Sequence, residues 1–359
     1  MPALPTSTSQ AAPQAAPVSF HAGTWHYSQP IFTDSATLGT TSQEFIHQIE
    51  PGGFLRGVSL FVTSTGGSLG TGGATAAADN PWNVIQSISL ESVDGTPIIY
   101  PIDGYSWYLV NRYTQPWEGD PATDPTYSQS ANPAFRMRLF VESRWTMGVL
   151  PNTDARAQYR LRYTLAPAAS IFNGTGYTAP TVTVQGNLET YAQPPSENYA
   201  GQPIQLVPNG ITVQRFISQQ TVTTNSGAYT IQSNRVGNMI RSLILVFRSN
   251  GARTDLTGDP IRFRVDNTQL LSENRTRRDF DMDMFFKQGG LDTSPRPTGV
   301  YVYPRWHNPG DLTGQFWLPT TEATYLAWEV NGAPAGGTCE IITEDLAAAG
   351  PVPASLMGL

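Results

Sequence analysis

The chain is short of charge, of lysine and of cysteine, and each shortage narrows what it can be. Charged residues make up only 14% of its 359 positions and the formal net charge is −7, so no basic surface advertises nucleic-acid binding. Of the 21 basic residues one is a lysine, Lys287, which leaves a single candidate for a lysine nucleophile or a phosphate-gripping lysine. A lone cysteine, Cys339, excludes an intrachain disulfide and points to folding in a reducing cytoplasm. Long hydrophobic runs are missing too. The longest apolar block, Leu243–Phe247, falls far below the ~20 residues of a membrane-spanning helix. The opening MPALPTSTSQAAPQAAP has neither the positive charge nor the apolar centre of a secretory signal. The expectation is a soluble chain that is not exported.

What is present is punctuation and β-formers. There are 33 Gly, 29 Pro and 11% aromatics, with Val, Ile, Thr, Tyr and Phe in short runs between turn residues, the composition of an all-β fold. The length suits two domains of about 100–200 residues each. Strands are expected over 41–50, from Gly53 through Thr63, and over 84–93, 135–141, 157–165 and 181–191. After a Pro-rich linker, 193–208, they resume over 211–222, 239–248, 261–265, 299–303, 314–318, 323–330 and 338–343. In FRMRLFV, Phe135, Met137, Leu139 and Val141 share one face while Arg136 and Arg138 take the other. AQYRLRYTL repeats the device with Tyr159, Leu161 and Tyr163 against Arg160 and Arg162. Such a period of two fits sandwich strands wetted on one side.

An internal repeat organises these strands. RGVSLFVTSTG (Arg56–Gly66) aligns without gaps on RSLILVFRSNG (Arg241–Gly251), with identities at Arg56/Arg241, Leu60/Leu245, Ser64/Ser249 and Gly66/Gly251. Downstream, Val93-Asp94-Gly95-Thr96 matches Val265-Asp266-Asn267-Thr268, and both suit a tight hairpin turn with positive φ. The spacing between the matches differs because the first copy carries the insertion GGSLGTGGATAAADN. Each copy then offers a short helix, Asp103–Tyr113 and Asp279–Lys287, although Phe280, Met282 and Met284 also alternate as in a strand. Two matches in one order predict two tandem copies of one β-sandwich.

The order of these segments resembles the double jelly-roll major capsid proteins of tailless, membrane-containing bacteriophages, the tectivirus group. The likeness lies in GFLRGVSLFVT, NPWNVIQSISLESVDGTPI and GYSWYLVNRY with Trp107, then in 135–163. In the second half it lies in FRVDNTQLLSENRTRRDF, in TGVYVYPRWHNPG (Thr298–Gly310), and in the closing strands 325–330 and 339–343. It spans roughly Phe20–Leu346 as a layout rather than a diagnostic motif, and the second half is shorter than in the phage relatives. The resemblance implies two upright jelly rolls per chain and a homotrimer of pseudo-hexagonal outline. These trimers would tile an icosahedral shell over an internal membrane, beside neighbouring trimers, vertex (penton) and minor capsid proteins. The amino-terminal arm would lie at the inner face, against that membrane. The protein would be a virion component assembled in the host cytoplasm, without direct contact to nucleic acid. The expected division is an arm over 1–17, a first jelly roll over 18–200, a second over 201–346 and a tail over 347–359.

No catalytic, cofactor or metal residue is expected. Gly66–Gly73 lacks the Gly-Lys-Ser/Thr and the strand–helix context of a phosphate loop and reads as a connection between strands. The histidines His21, His26, His47 and His307 include no His-x-His pair; His21 and His26 would share a metal only if the arm folded back. Asp281 and Asp283 read as exposed acids flanking a Met rather than an ion site. Glu118, Asp120 and Asp124 would make at most an adventitious calcium site. Cys339 falls in an expected strand and reads as core. Asn173-Gly174-Thr175 and Asn274-Arg275-Thr276 match the glycosylation pattern by chance if the chain is not secreted. The basic cluster Arg275, Arg277 and Arg278 is either a solvated face or a contact to an acidic neighbour or lipid headgroups. Beside the shell subunit, the competing readings are a spike or carbohydrate-binding sandwich, suggested by the aromatic stretch Tyr105–Trp117, and a metal-dependent jelly-roll enzyme, which the histidine inventory disfavours.

Overall fold

Burial follows the alternation. In Phe135–Phe140 the apolar positions are buried and Arg136 and Arg138 half-buried. In Arg160–Leu165, Leu161, Tyr163 and Leu165 are buried against half-buried Arg160 and Arg162, because successive side chains point to opposite faces of a sheet. The structure, a computed structural model, describes residues 16–92, 94–113, 130–142, 146–156, 158–208, 212–222, 229–274, 297–303, 317–332 and 336–348.

The first half holds the strands β1 (His26–Thr37), β2 (Gln43–Gln48), β3 (Phe54–Thr65), β4 (Ile85–Glu91), β5 (Pro97–Ile102), β6 (Phe135–Phe140), β7 (Arg160–Leu165) and β8 (Thr181–Tyr191). The second half holds β9 (Thr212–Val222), β10 (Tyr229–Ser233), β11 (Met239–Ser249), β12 (Ile261–Val265), β13 (Thr268–Glu273), β14 (Val300–Tyr303), β15 (Leu326–Val330) and β16 (Thr338–Ala348). Sheet orders are β1-β8-β3-β6 and β2-β7-β4-β5 in the first copy, β9-β16-β11-β14 and β10-β15-β12-β13 in the second. Adding eight to each strand number of the first copy gives the second. Both copies have the double Greek-key wiring of a jelly roll.

The correspondence reaches individual residues. In β3 the partner of Gly57 is Glu189 and the partner of Leu55 is Thr190, so Arg56 is a bulge residue. In β11 the partner of Ser242 is Glu344 and that of Ile240 is Asp345, so Arg241 is the bulge residue there. The two arginines aligned in sequence thus occupy the same irregularity, an extra residue that re-aims its side chain. The pairs Leu150-Pro151 and Leu318-Pro319 cover the starts of β3 and β11 in turn. The turns at Asp94-Gly95 and Asp266-Asn267 both join the fourth and fifth strands of their copy, with φ of 84° at Gly95 and 50° at Asp266.

Each bulge arginine meets a buried acid. Arg241 Nη1 lies 3.1 Å from Glu344 Oε1, both side chains 1% exposed. Arg56 Nε donates to Glu142 Oε2 at 2.5 Å while its guanidinium covers the Phe140 ring at 4.6 Å. Glu142 also accepts from Tyr191 Oη at 2.8 Å and from the Thr146 amide at 2.7 Å. Burial, with the Glu142 charge, pushes the Tyr191 phenol well above its usual range. Above these pairs a single apolar cluster runs through both copies, from Leu60, Met137 and Trp107 to Ile244, Phe263 and Trp328.

Removing one member of a buried ion pair leaves the other charge stranded, whereas replacing both by apolar groups does not. Arg241→Ala should therefore lower unfolding stability by about 3–5 kcal/mol in a urea titration, and Arg241→Met combined with Glu344→Leu should recover most of that loss. A change below about 1 kcal/mol for the single variant would show that the pair does not hold the copy together.

Candidate functional surfaces and the junction between the sandwiches

The two sandwiches share a sheet. Strand β9 runs parallel to β5, with Phe216 opposite Ile99, and joins the sheet β2-β7-β4-β5 to β9-β16-β11-β14 as one ten-stranded sheet. The edge of β5, an open row of backbone donors and acceptors in an isolated sandwich, is thereby covered from within the chain.

Charge and stacking pin this junction at the end that carries the connection into β4. Asp79, from the Gly- and Ala-rich insertion, accepts from Arg248 Nη1 at 2.6 Å and lies 3.1 Å from Arg253 Nε. Arg253 also donates to the Ala78 carbonyl at 3.3 Å. Both guanidinium groups lie over the Tyr105 ring, Arg248 at 5.5 Å and Arg253 at 4.8 Å. Burial alone would lower the Arg248 pKa, but the charges of Asp79, Glu340 and Asp103 raise it. Tyr105 belongs to the helix Gly104–Tyr113, whose start is capped by Asp103 accepting from the Ser106 amide at 2.9 Å. Ser106 Oγ reaches across to Glu340 on β16. On the helix's other side, Trp107 and Asn111 donate to the Arg138 carbonyl at 3.0 and 2.8 Å. The helix is thus bolted to its own sandwich and bridged to the next. A polar cleft of about 370 Å³ lies beside the lock, between Asp79, Asn83, Ser170 and Asn173 on one copy and Asn250 and Gly251 on the other.

Several residues singled out in the sequence land in structural roles. His47 on β2 and Tyr163 on β7 both bond Asp34 of β1, at 2.6 and 2.5 Å. The His47 ring stacks on Phe32 with centroids 3.7 Å apart. That stack fits only because position 186 is glycine: a Cβ there would fall 2.2 Å from Phe32. Burial and the Asp34 carboxylate push the Tyr163 phenol up. His26 pairs with Glu189 at 2.8 Å. Burial would raise that carboxyl, yet bonds from His26, Ser59 and Ser28 hold it below the usual range. His21 is exposed, Cys339 is fully buried in β16 with its thiol pKa raised by burial, and Gly66–Gly73 is a connection between strands. Asn173 pairs with Thr75 in a two-stranded ribbon. His307, Glu118, Asp120, Asp124, Asp281, Asp283, Lys287, Arg275, Arg277, Arg278 and the second expected helix lie outside the described residues. Among the described residues no cluster of three His, Cys, Asp or Glu is placed to hold a metal, and no helix is long and apolar enough to cross a membrane.

The outer flanks carry what is left exposed. One flank of the first copy consists of β1 and β2, with Ile46 50% exposed; in the second copy β13 ends the four-stranded sheet, with Leu270 41% exposed. Trp25, Tyr199 and Leu206 are exposed where 18–25 packs beside the linker; there Val18 bonds Pro203 and Gln205 and Phe20 fills a pocket with Phe54, Val149 and Tyr191.

Among solved structures, the chain is similar to one in the atomic structure of Sulfolobus Turreted Icosahedral Virus, with a TM-score of 0.65 and 11% identity over 93% of this chain and 95% of that one. It is similar to the crystal structure of the MCP, the major capsid protein, of the same virus, with a TM-score of 0.62 and 10% identity over 92% and 99%. A third similar chain is that of the PBCV-1 virus capsid, at 0.59 and 14% over 90% and 93%. The fold is a double jelly roll. No family model and no curated protein sequence matches the chain. At such identities the double jelly roll is what these structures share with it.

Asp79 is the acid that both arginines share, so Asp79→Ala should strip each of its ion pair in a mostly buried junction, leaving Arg248 the charges of Glu340 and Asp103. The expected loss is about 2–3 kcal/mol of unfolding stability, with faster amide exchange over 248–253. Stability within about 0.5 kcal/mol of the parent and unchanged exchange would remove the lock from the account.

Proposed function

We propose that this chain is the major shell subunit of an icosahedral virion: a homotrimer of pseudo-hexagonal outline that tiles with its neighbours over an internal membrane. The observation that carries the reading is the head-to-tail junction. The β5 edge of the first copy receives the β9 edge of the second, two different surfaces in contact. A contact of this kind, repeated, closes into a ring when its rotation brings the last sandwich back to the first, and gives an open filament when it does not. Six sandwiches in such a ring are three chains, and the outline is nearly sixfold though the true symmetry is threefold.

Two further observations support it. The double jelly rolls similar to this chain include capsid chains, and a duplicated, cross-braced sandwich gives stiff walls with broad flanks. The arm over 1–17 would reach the membrane-facing side, next to exposed Trp25 and Tyr199; Trp and Tyr favour such interfaces. The first jelly roll is assigned to 18–200, the second to 201–346 and a tail to 347–359. Neighbouring trimers, vertex proteins and minor capsid proteins are the partners, the site of assembly is the host cytoplasm, and catalysis plays no part. Interfaces of permanent assemblies bury about 2,000–5,000 Å², enough to hold trimers against dilution.

Native mass measurement of the purified full-length chain should give a species of three times 39.0 kDa that persists on dilution, and negative-stain images should show hexagonal outlines. A monomer at micromolar concentration would contradict the reading, and glycan binding by that monomer would favour the spike-like alternative.

A further inference from the structure

The junction inside the chain shows how one sandwich docks on the next, and among the described residues its two counterpart strands, β13 and β1, each pair on one edge alone. On the accepting side, Ile99 of β5 sits opposite Leu90, and Ile98 is the extra residue of a bulge. In the second copy Leu271 of β13 sits opposite Phe263, and Leu270 is the extra residue. Register therefore equates Leu270 and Leu271 with Ile98 and Ile99, as does the sequence match through the turn. On the donating side, Phe216 of β9 faces Glu344, the partner of the residue after the bulge arginine. Ser28 of β1 faces Glu189, which holds the same place in the first copy. Phe216 and Ser28 are equivalent.

Resting on the shell-subunit reading, we propose that β13 of one chain accepts β1 of a second copy of this chain as a parallel strand, with Leu271 opposite Ser28. The sheet β10-β15-β12-β13 would then continue into the neighbour's β1-β8-β3-β6, as the shared sheet continues within the chain. Burial supports this occupant. In the internal junction Ile98 is 6% exposed and Ile99 fully buried, whereas Leu270 is 41% exposed in the single chain. An apolar residue thus lies uncovered at the position where its counterpart is covered. Among the described residues, β13 pairs only with β12 and β1 only with β8, so both have an outer edge able to add a strand. The contact joins unlike edges and so propagates head to tail in one sense, as a threefold ring requires.

The test is Leu270→Asp in the full-length chain, read by native mass, thermal melting and amide exchange. The wild type should assemble with slowed exchange over 268–273 and 26–30. The variant should melt as the wild-type monomer does and assemble at least about a hundredfold more weakly, because an acid replaces a buried leucine. A wild type that assembles while Leu270→Asp assembles as tightly would overturn the strand pairing and leave the shell reading standing. A wild type that stays monomeric would overturn both. If the variant melts early, exchange in the wild-type assembly decides: amides of 268–273 exchanging as fast as in the dissociated chain would sink the pairing.

Discussion

An outermost strand with unpaired backbone groups is the constraint around which this molecule is arranged. Every jelly roll has such edges, and backbone donors and acceptors that are covered must be paired. The chain meets the demand once within itself, by laying β9 along β5. That pairing sets the direction in which the second sandwich follows the first. It also brings Arg248 and Arg253 to Asp79 and Tyr105 and places the helix Gly104–Tyr113 against β16. The lock is a consequence of the shared sheet, and it ties the two sandwiches through side chains as well as backbone.

The copies have diverged around fixed points rather than drifted evenly. Both keep the bulge arginine and an acid opposite the residue after it, yet the pairing is rewired. Arg241 takes Glu344, the acid from its neighbouring strand. Arg56 takes Glu142, leaving Glu189 to His26, Ser28 and Ser59. Charge at this end of each sandwich is conserved in kind while its partners change. Where the first copy has Ser59 reaching for Glu189, the aligned residue of the second is the buried Ile244.

Much of this was legible in the residues. The Arg56 and Arg241 alignment found equivalent strands, the two turns found equivalent hairpins, and the alternation found an inner strand over 160–165 and an end strand over 135–140, because burial on one face writes it in both. The strands the pattern missed are β1, β5, β10 and β13, and each ends a sheet of its own sandwich. In β5 and β13 a bulge, at Ile98 and at Leu270, breaks the alternation, and β1 carries Pro30 and has no fully buried residue. A third match, too short to stand out in the sequence alone, is Leu150-Pro151-Asn152-Thr153-Asp154 against Leu318-Pro319-Thr320-Thr321-Glu322, whose Asn152 and Thr320 are both buried and close the same turn. The junction was less visible, since Asp79 hides in a low-complexity insertion. Its one signal was Arg248, a charge aligned on Thr63 with no counterpart in the first copy.

The central claim is that one edge-to-edge contact, present inside the chain, is the contact the assembly repeats. A cryo-EM reconstruction of the purified assembly tests it most directly. The account predicts six near-equivalent lobes around a true threefold axis, with sheets continuous both within and between chains. Lobes meeting through identical faces about a twofold axis, with β13 and β1 open to solvent, would contradict it.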